Sequence, residues 1–96
     1  MVTTLVQIPL PASLGREQVF AAFSSLAPTF KNVPGLIRKY FTLSDSDEVG
    51  GIYLWEDRDA AEIFHSAAWR SRVLSTYGSE PKVTYFASPV IVDNSK

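Results

Sequence analysis

The stretch GGIYLWED, residues 50 to 57, reads as a β-strand running into a turn, and it is apolar on both faces. Successive side chains of a strand point to opposite sides of a sheet, so Ile52 and Leu54 share one face while Tyr53 and Trp55 share the other. A strand in a half-solvated sheet would give one of those faces to polar residues. Here both faces require cover, and what supplies it decides the architecture.

Upstream, Pro34-Gly35 punctuates the chain and LIRKYFTL, residues 36 to 43, has the β-branched and aromatic content of a strand. The polar run SDSDE between them makes an antiparallel hairpin of the two strands. Centring the hairpin on that turn places Arg38 opposite Trp55 and Tyr40 opposite Tyr53, with Phe41 near Ile52 on the other face. A slip of one residue exchanges the faces. Towards the N-terminus, TTLVQIP at 3–9 is a strand closed off by Pro9 and Pro11. Val19, Phe20, Phe23 and Leu26 then recur as the apolar stripe of a helix. Ser13 is its N-cap candidate, with Gly15 blurring the start, and Pro28 ends it. Beyond the hairpin, Asp57 or Asp59 caps a second helix that runs through RDAAEIFHSAAWRSRVLSTY to Gly78. Ala60, Ile63, Phe64, Ala67, Ser71 and Leu74 fall on one side of it at helical period, the side expected on the sheet. KVTYFAS at 82–88 is a fourth strand, and PVIVDN at 89–94 is a terminal arm or a short extra strand.

The order β-α-β-β-α-β gives an α+β, ferredoxin-like domain spanning residues 1–96, with a four-stranded antiparallel sheet. Right-handed crossovers put both helices on one face of that sheet and leave the other bare. Its apolar residues would form a patch beyond what a monomer tolerates, and a second copy packed sheet on sheet about a two-fold axis supplies the cover. A partner protein, or a face that proves more polar once the register is corrected, would do the same.

Composition removes several classes. Ninety-six residues, 46% hydrophobic and 20% charged, suit one soluble domain with one core. A net charge of −1 without a basic cluster argues against nucleic acid or an anionic membrane as partner. There is no cysteine and a single histidine, so neither a disulfide framework nor a structural metal site is expected. SDSDE lacks the glycine and glutamate of a calcium loop. Phosphate-loop, dinucleotide and nucleophile-elbow signatures are absent. The opening MVTTLVQIPLPAS has neither a basic leader nor a long apolar run, and the chain reads as complete and cytoplasmic.

Two groups of side chains can carry chemistry. His65 shares a helical stripe with Glu62, Trp69 and Arg72, away from the apolar face; it is a proton donor or acceptor beside an indole, or an ordinary surface histidine. Ser66 can also cap a new turn, in which case the stripe does not continue across it. Tyr40, Tyr53 and Trp55 form an aromatic wall with Arg38 as a positive charge for an anionic or phenolic ligand, or else belong to core and interface. Gln7, polar among apolar neighbours, either satisfies a hydrogen bond or faces a cavity. Trp69 is a helix-to-core anchor or a further pocket residue.

In the run PGLIRKYFTLSDSDEVGGIYLWED, together with Lys39 in the second strand, the aromatic Trp55, His65 in the second helix and the closing PVIVDN, the chain resembles the YdhR-like monooxygenases. These form a branch of the dimeric α+β-barrel, antibiotic-biosynthesis-monooxygenase superfamily. The resemblance implies a sheet-on-sheet homodimer and a pocket between sheet and helices. It further implies oxygenation of small aromatic, phenolic or quinone-type compounds by dioxygen without flavin, haem or metal. Under it, His65 assists proton transfer, Arg38 stabilises a phenolate, and Tyr40, Tyr53 and Trp55 shape the pocket; Gln7 and Trp69 stand beside them as substrate-binding candidates read from the residues alone. The family pattern usually carries an aromatic residue where Arg38 stands and often tryptophan where Phe41 stands.

Other readings compete. Haem-degrading relatives pair a first-strand asparagine with an axial histidine, which Gln7 and the lone His65 do not match. A non-catalytic small-molecule-binding or stress-response dimer, or a cyclase or isomerase, fits the same scaffold. The two faces of GGIYLWED also divide the outcome. If Tyr53 and Trp55 meet the partner sheet they are dimer contacts, and Ile52 and Leu54 line the cavity.

Overall fold

A computed structural model of the protein describes residues 1–95. The elements follow the expected order: β1 (Val2–Pro9), α1 (Arg16–Leu26), β2 (Leu36–Leu43), β3 (Glu48–Trp55), α2 (Arg58–Phe64), α3 (Ala67–Tyr77) and β4 (Lys82–Ala87). The strands form one antiparallel sheet in the order β2-β3-β1-β4, the ferredoxin-like arrangement. All the helices lie on the same side of it. Val6, Ile8, Val49, Tyr53 and Trp55 of the sheet form one core with Val19, Ala61, Trp69 and Val73 of the helices.

The hairpin register is one residue away from the turn-centred expectation. Arg38 pairs with Leu54 and Tyr40 with Ile52, while Lys39 faces Tyr53 across the ladder. The cause is the turn. Ser44 N–H donates to Glu48 O at 2.9 Å and Asp47 adopts a left-handed φ of 61°, so three residues, Asp45 to Asp47, close the loop. Three-residue loops of this kind end in a left-handed residue, and aspartate tolerates that conformation. Upstream, a bulge between Leu36 and Arg38 returns Leu36 to the helix side, opposite Trp55.

The second helix also departs from expectation, because it is two helices. His65 leaves the helical path at φ −82°, ψ 46°, and Ser66 caps a fresh start by accepting from Trp69 N–H at 3.3 Å. The break resets the phase. Trp69 and Val73 become the buried positions of α3, while Ile63 and Leu74, assigned to the core by an unbroken wheel, are 77% and 42% exposed. Ala67 and Ser71 are exposed too; of that stripe only Ala60 and Phe64 pack on the core. Asp57 caps α2 through Ala60 N–H at 2.9 Å, and Gly78 at φ 76° ends α3, both as expected. Gly15 rather than Ser13 starts α1, its N–H donating to the Gln18 side chain at 2.8 Å. Pro28 turns the helix end into a 3₁₀ turn over Ala27–Phe30.

The face away from the helices carries Leu5, Ile52, Leu54, Tyr40 and Phe86. Ile52, Tyr40 and Phe86 are 37%, 55% and 47% exposed, so this chain leaves the face open. Residues 89–94 form an arm without regular structure; it leaves β4 at Ser88, whose N–H donates to Met1 O at 3.0 Å, and reaches β2 through an Arg38–Asp93 ion pair of 3.2 Å.

The glycine pair that opens β3 is dictated by its neighbours. A Cβ on Gly50 would stand 1.8 Å from the carbonyl oxygen of Val6 on β1, which no side-chain rearrangement relieves because the obstacle is backbone. Gly50→Ala is expected to force the central strands apart and remove about 2–4 kcal/mol of stability, seen as a lower urea midpoint; an unchanged midpoint contradicts this account.

Candidate functional site

With the register as found, the alternation of β3 settles which face its aromatics take. Tyr53 and Trp55 point to the helices, and Ile52 and Leu54 to the open face. Trp55 and Thr4, on adjacent strands, are 0% exposed. Thr4 Oγ1 accepts from Trp55 Nε1–H at 3.0 Å and lies 2.9 Å from His65 Nε2. His65 is carried to that point by the end of α2 and is only 5% exposed, not on the surface stripe that a continuous helix implied. Around it stand Trp69 at 4.5 Å between ring centroids, Tyr53 at 5.0 Å, Phe64 at 5.1 Å and Trp55 at 5.7 Å, all presenting edges or tilted faces. Tyr53 and Trp55 themselves stack, 5.6 Å apart and 8° from parallel.

His65 Nδ1 has no hydrogen-bond partner, although it is buried. Burial, with smaller repulsions from Arg70 and Lys39, lowers the imidazole pKa to about 4. It is therefore neutral at neutral pH. Burial and the nearby Tyr77 likewise raise the Tyr53 phenol well above its ordinary value, so its hydroxyl stays protonated.

Beside this cluster, between the sheet and α1, α3 and the 3₁₀ turn, lies a cavity of about 130 Å³. Phe30, Phe41, Tyr53, Trp69 and Tyr77 contribute aromatic surface to it, and Lys39 contributes an amine. Lys39 is the functional group that the sequence reading left as a mere family marker. Its Nζ sits 3.6 Å from the centroid of Phe30, 3.9 Å from Phe41 and 4.6 Å from Tyr53. Desolvation lowers its pKa to about 7, while the three ring faces favour the ammonium form. Gly51 makes room for its stem, since a Cβ there would lie 2.9 Å from Lys39 Cε.

Of the residues singled out from sequence, Tyr53, Trp55, His65 and Trp69 are brought together on the helix side, and Tyr53 and Trp69 also line the cavity. Arg38, Tyr40 and Gln7 are not with them; they occupy the open face. There Arg38 Nη1 donates to the Tyr40 hydroxyl at 3.4 Å and Nη2 contacts Asp93. Gln7 donates to Glu48 Oε1 at 3.4 Å, so it satisfies a hydrogen bond and faces no helix-side cavity. A larger concavity of about 570 Å³ opens on the outer side of Phe64, between the Pro34-Gly35 turn and α2, but it contains none of these residues. Among the described residues no group of three or more histidine, cysteine or acidic side chains is placed to hold a metal ion, and no helix is long and apolar enough to cross a membrane.

The family model described as "Putative mono-oxygenase ydhR" matches residues 5–87. Among solved structures, a monooxygenase from the ActVA-Orf6 gene of Streptomyces coelicolor, in complex with the ligand nanaomycin D, superposes with a TM-score of 0.68 at 17% identity, covering 98% of this chain and 92% of that one. SnoaB, a cofactor-independent oxygenase from Streptomyces nogalater, gives 0.64 at 17% identity, with 95% of each chain covered. A protein of Bordetella bronchiseptica described as a "Putative antibiotic biosynthesis monooxygenase" gives 0.63 at 22% identity, covering 93% of this chain and 98% of that one. These likenesses establish the shared fold. No curated protein matches the sequence.

The buried imidazole makes the fold acid-sensitive. Unfolded, His65 titrates near its ordinary 6.5; folded, it titrates at about 4. Between these values the unfolded chain binds a proton that the folded chain does not, so stability falls as pH drops through that window. A loss of about 2 kcal/mol, after allowance for solvent screening, is expected between pH 6.5 and 4 in urea titrations. His65→Gln should flatten that limb; an equally steep limb in the variant assigns the acid sensitivity to other groups.

Proposed function

This chain belongs to the YdhR mono-oxygenase family, and on that footing we propose that it oxygenates a small aromatic, phenolic or quinone-type compound with dioxygen and no bound cofactor. The observation that carries the proposal is the cavity between sheet and helices, walled by Phe30, Phe41, Tyr53, Trp69 and Tyr77. Flat apolar rings bind well against such walls, and an engineered apolar cavity of ~150 Å³ already takes benzene. About 130 Å³ fits one ring; a larger guest requires Leu26 and Phe30, which line the helix side, to move outward. SnoaB, described as cofactor-independent, supports the cofactor-free form of the reading for this chain.

The chemistry asks little of the protein. An electron-rich phenol that has lost its proton can itself reduce dioxygen; one oxygen atom enters a ring carbon, the other leaves as water with two substrate hydrogens, and a quinone results. The protein binds, removes a proton and excludes water from the intermediate. Tyr53 and Trp69 would shape the pocket directly. Trp55 and His65 would act from behind them by fixing the wall, joined there through Thr4. Arg38, Tyr40 and Gln7 would serve the dimer face instead of the substrate.

We further propose the sheet-on-sheet homodimer. A folded monomer of 10.6 kDa is expected to expose about 5,500 Å². The chain exposes 6391 Å², an excess of roughly 900 Å², close to what one partner contributes to a standard interface. Ile52, Leu54, Leu5, Tyr40 and Phe86 give the open face the apolar surface such an interface needs. Light scattering on the purified protein should give twice the chain mass, and Leu54→Lys, which sets a charge at the middle of the face, should give the single-chain mass. A wild-type monomer removes this reading.

Oxygen uptake by purified, metal-chelated protein across a panel of phenols, naphthols and anthrones tests the activity. Uptake should accompany quinone formation one to one, and Val73→Phe, which fills the cavity, should reduce it at least about tenfold. Rates no higher than in buffer would leave a binding protein rather than an oxygenase. Full activity in Val73→Phe would put the reaction outside this cavity.

A further inference from the structure

Lys39 is the only side chain with a formal charge among those lining the cavity, and no ion pair among the described residues neutralises it. The ion pairs among the described residues are Arg16–Asp47, Arg38–Asp93 and Arg58–Glu62, and Lys39 takes part in none of them. From β1 the cavity receives Val6 and Ile8; from α1 and the 3₁₀ turn, Phe23, Leu26 and Phe30; from α3, Trp69, Val73 and Tyr77. The titratable groups facing the amine are thus Tyr53 and Tyr77, with His65 behind Tyr53. None of them is a carboxylic acid, and Tyr53 is held protonated by its burial. A half-buried amine with aromatic faces around it and no carboxylate lacks the partner that desolvated ammonium groups ordinarily have.

We propose that the missing partner is the substrate, and that Lys39 Nζ accepts the proton of an acidic hydroxyl on the aromatic guest and holds the resulting oxyanion. The step balances simply. The O–H bond breaks, an N–H bond forms, the electron pair stays on oxygen, and an ammonium–phenolate pair replaces a neutral amine and a neutral phenol. If the amine rests as ammonium, the guest arrives as the anion and the same pair forms. The resting protonation state therefore does not alter the class of ligand selected: an apolar ring bearing one phenol-like or enol-like hydroxyl. Amines and neutral hydrocarbons of the same size are rejected, because they leave the lysine unpaired. The geometry adds an orientation. Nζ stands over Phe30, Phe41 and Tyr53, so the hydroxyl end of the guest lies at the β2–β3 side of the cavity and the ring body extends towards Trp69 and Val73.

Gly51 belongs to the same device. It faces the helix side between Val6 and Phe41, and its lack of a Cβ lets the Lys39 stem lie flat against the strand. A methyl group there would push Cε, and with it the amine, away from its present place over the rings.

The inference rests on the proposed cavity site but not on the oxygenation, and the test keeps them apart by working without oxygen. 4-Nitrophenol absorbs in the visible only as the phenolate, so its ionisation can be read while bound. Titrated anaerobically into the wild-type protein at a pH where the free dye is mostly neutral, the bound dye should be ionised at least about tenfold more than the free dye. Lys39→Met, which keeps length and apolar stem, should bind the dye in its neutral form or at least about tenfold more weakly. Gly51→Ala should give an intermediate spectrum, and circular dichroism checks that both variants fold. No binding to the wild type, a neutral bound dye, or equal ionisation in Lys39→Met overturns the proposal. Phenolate capture with no oxygen uptake on any phenol would retain Lys39 and remove the oxygenase reading. Oxygen uptake undiminished in Lys39→Met would do the reverse.

Discussion

The helix side of this protein is organised around one hydroxyl oxygen. Thr4 Oγ1 accepts the indole N–H of Trp55 from the neighbouring strand and meets the imidazole of His65 from the helical layer. Because all three side chains are buried, each of these polar groups would carry a desolvation cost without the others. The hydroxyl thus ties β1, β3 and the end of α2 in a single fixed geometry. The helix break lies at the same residue, since His65 meets Thr4 where it leaves the helical path. From the break follows the phase of α3, and hence which residues of that helix, Trp69 and Val73, form the back of the cavity.

Two nitrogen bases, a buried imidazole and a half-buried amine, emerge from that arrangement, and they differ in a way that assigns them different work. His65 is enclosed by four aromatic side chains and has one nitrogen bonded and the other bare. Lys39 is enclosed by three rings but reaches open space. The charge of Lys39 lowers the affinity of His65 for a proton, because a second positive charge in the same apolar layer is costly. Protonating one therefore favours keeping the other neutral. A layer with two bases and no acid is strained towards accepting negative charge, and Tyr53, standing between them, is prevented by burial from supplying it.

Much of the fold was legible in the sequence because it rests on signals of short range. The period-two runs, the proline and glycine stops and the Asp57 cap gave the strand and helix order, and the order dictated the sheet topology. What failed was phase. The strand face of Arg38 and Tyr40 depended on whether the loop held three residues or four, and the deciding feature, a left-handed Asp47, is a property of the folded turn that aspartate permits without announcing. The helical face of His65 depended on whether Ser66 continued a helix or capped one. Both possibilities are compatible with HSAAW; burial of Trp69 and His65 against Thr4 decided between them. Lys39 was missed for the same reason. With Arg38 assigned to the aromatic face, its neighbour had to face outwards, and the register slip that removed Arg38 from the site put Lys39 into it.

The same slip explains why the glycine pair precedes the aromatics of β3. Gly50 serves the open side, where the carbonyl of Val6 on β1 leaves no space for a methyl group, and Gly51 serves the helix side, where the lysine stem lies. In a strand of eight residues, two positions are thus given up to the close approach of neighbours rather than to packing. A strand that loses side-chain contacts at two positions needs strong ones elsewhere, and Tyr53 and Trp55 supply them as a stacked pair at the centre of the core. Ile52 and Leu54 cannot contribute on that side, and their apolar area gains nothing from this chain alone. The stability of so small a domain and the covering of its second face are therefore one problem: the residues that would have enlarged its core are the ones that alternation turned outwards.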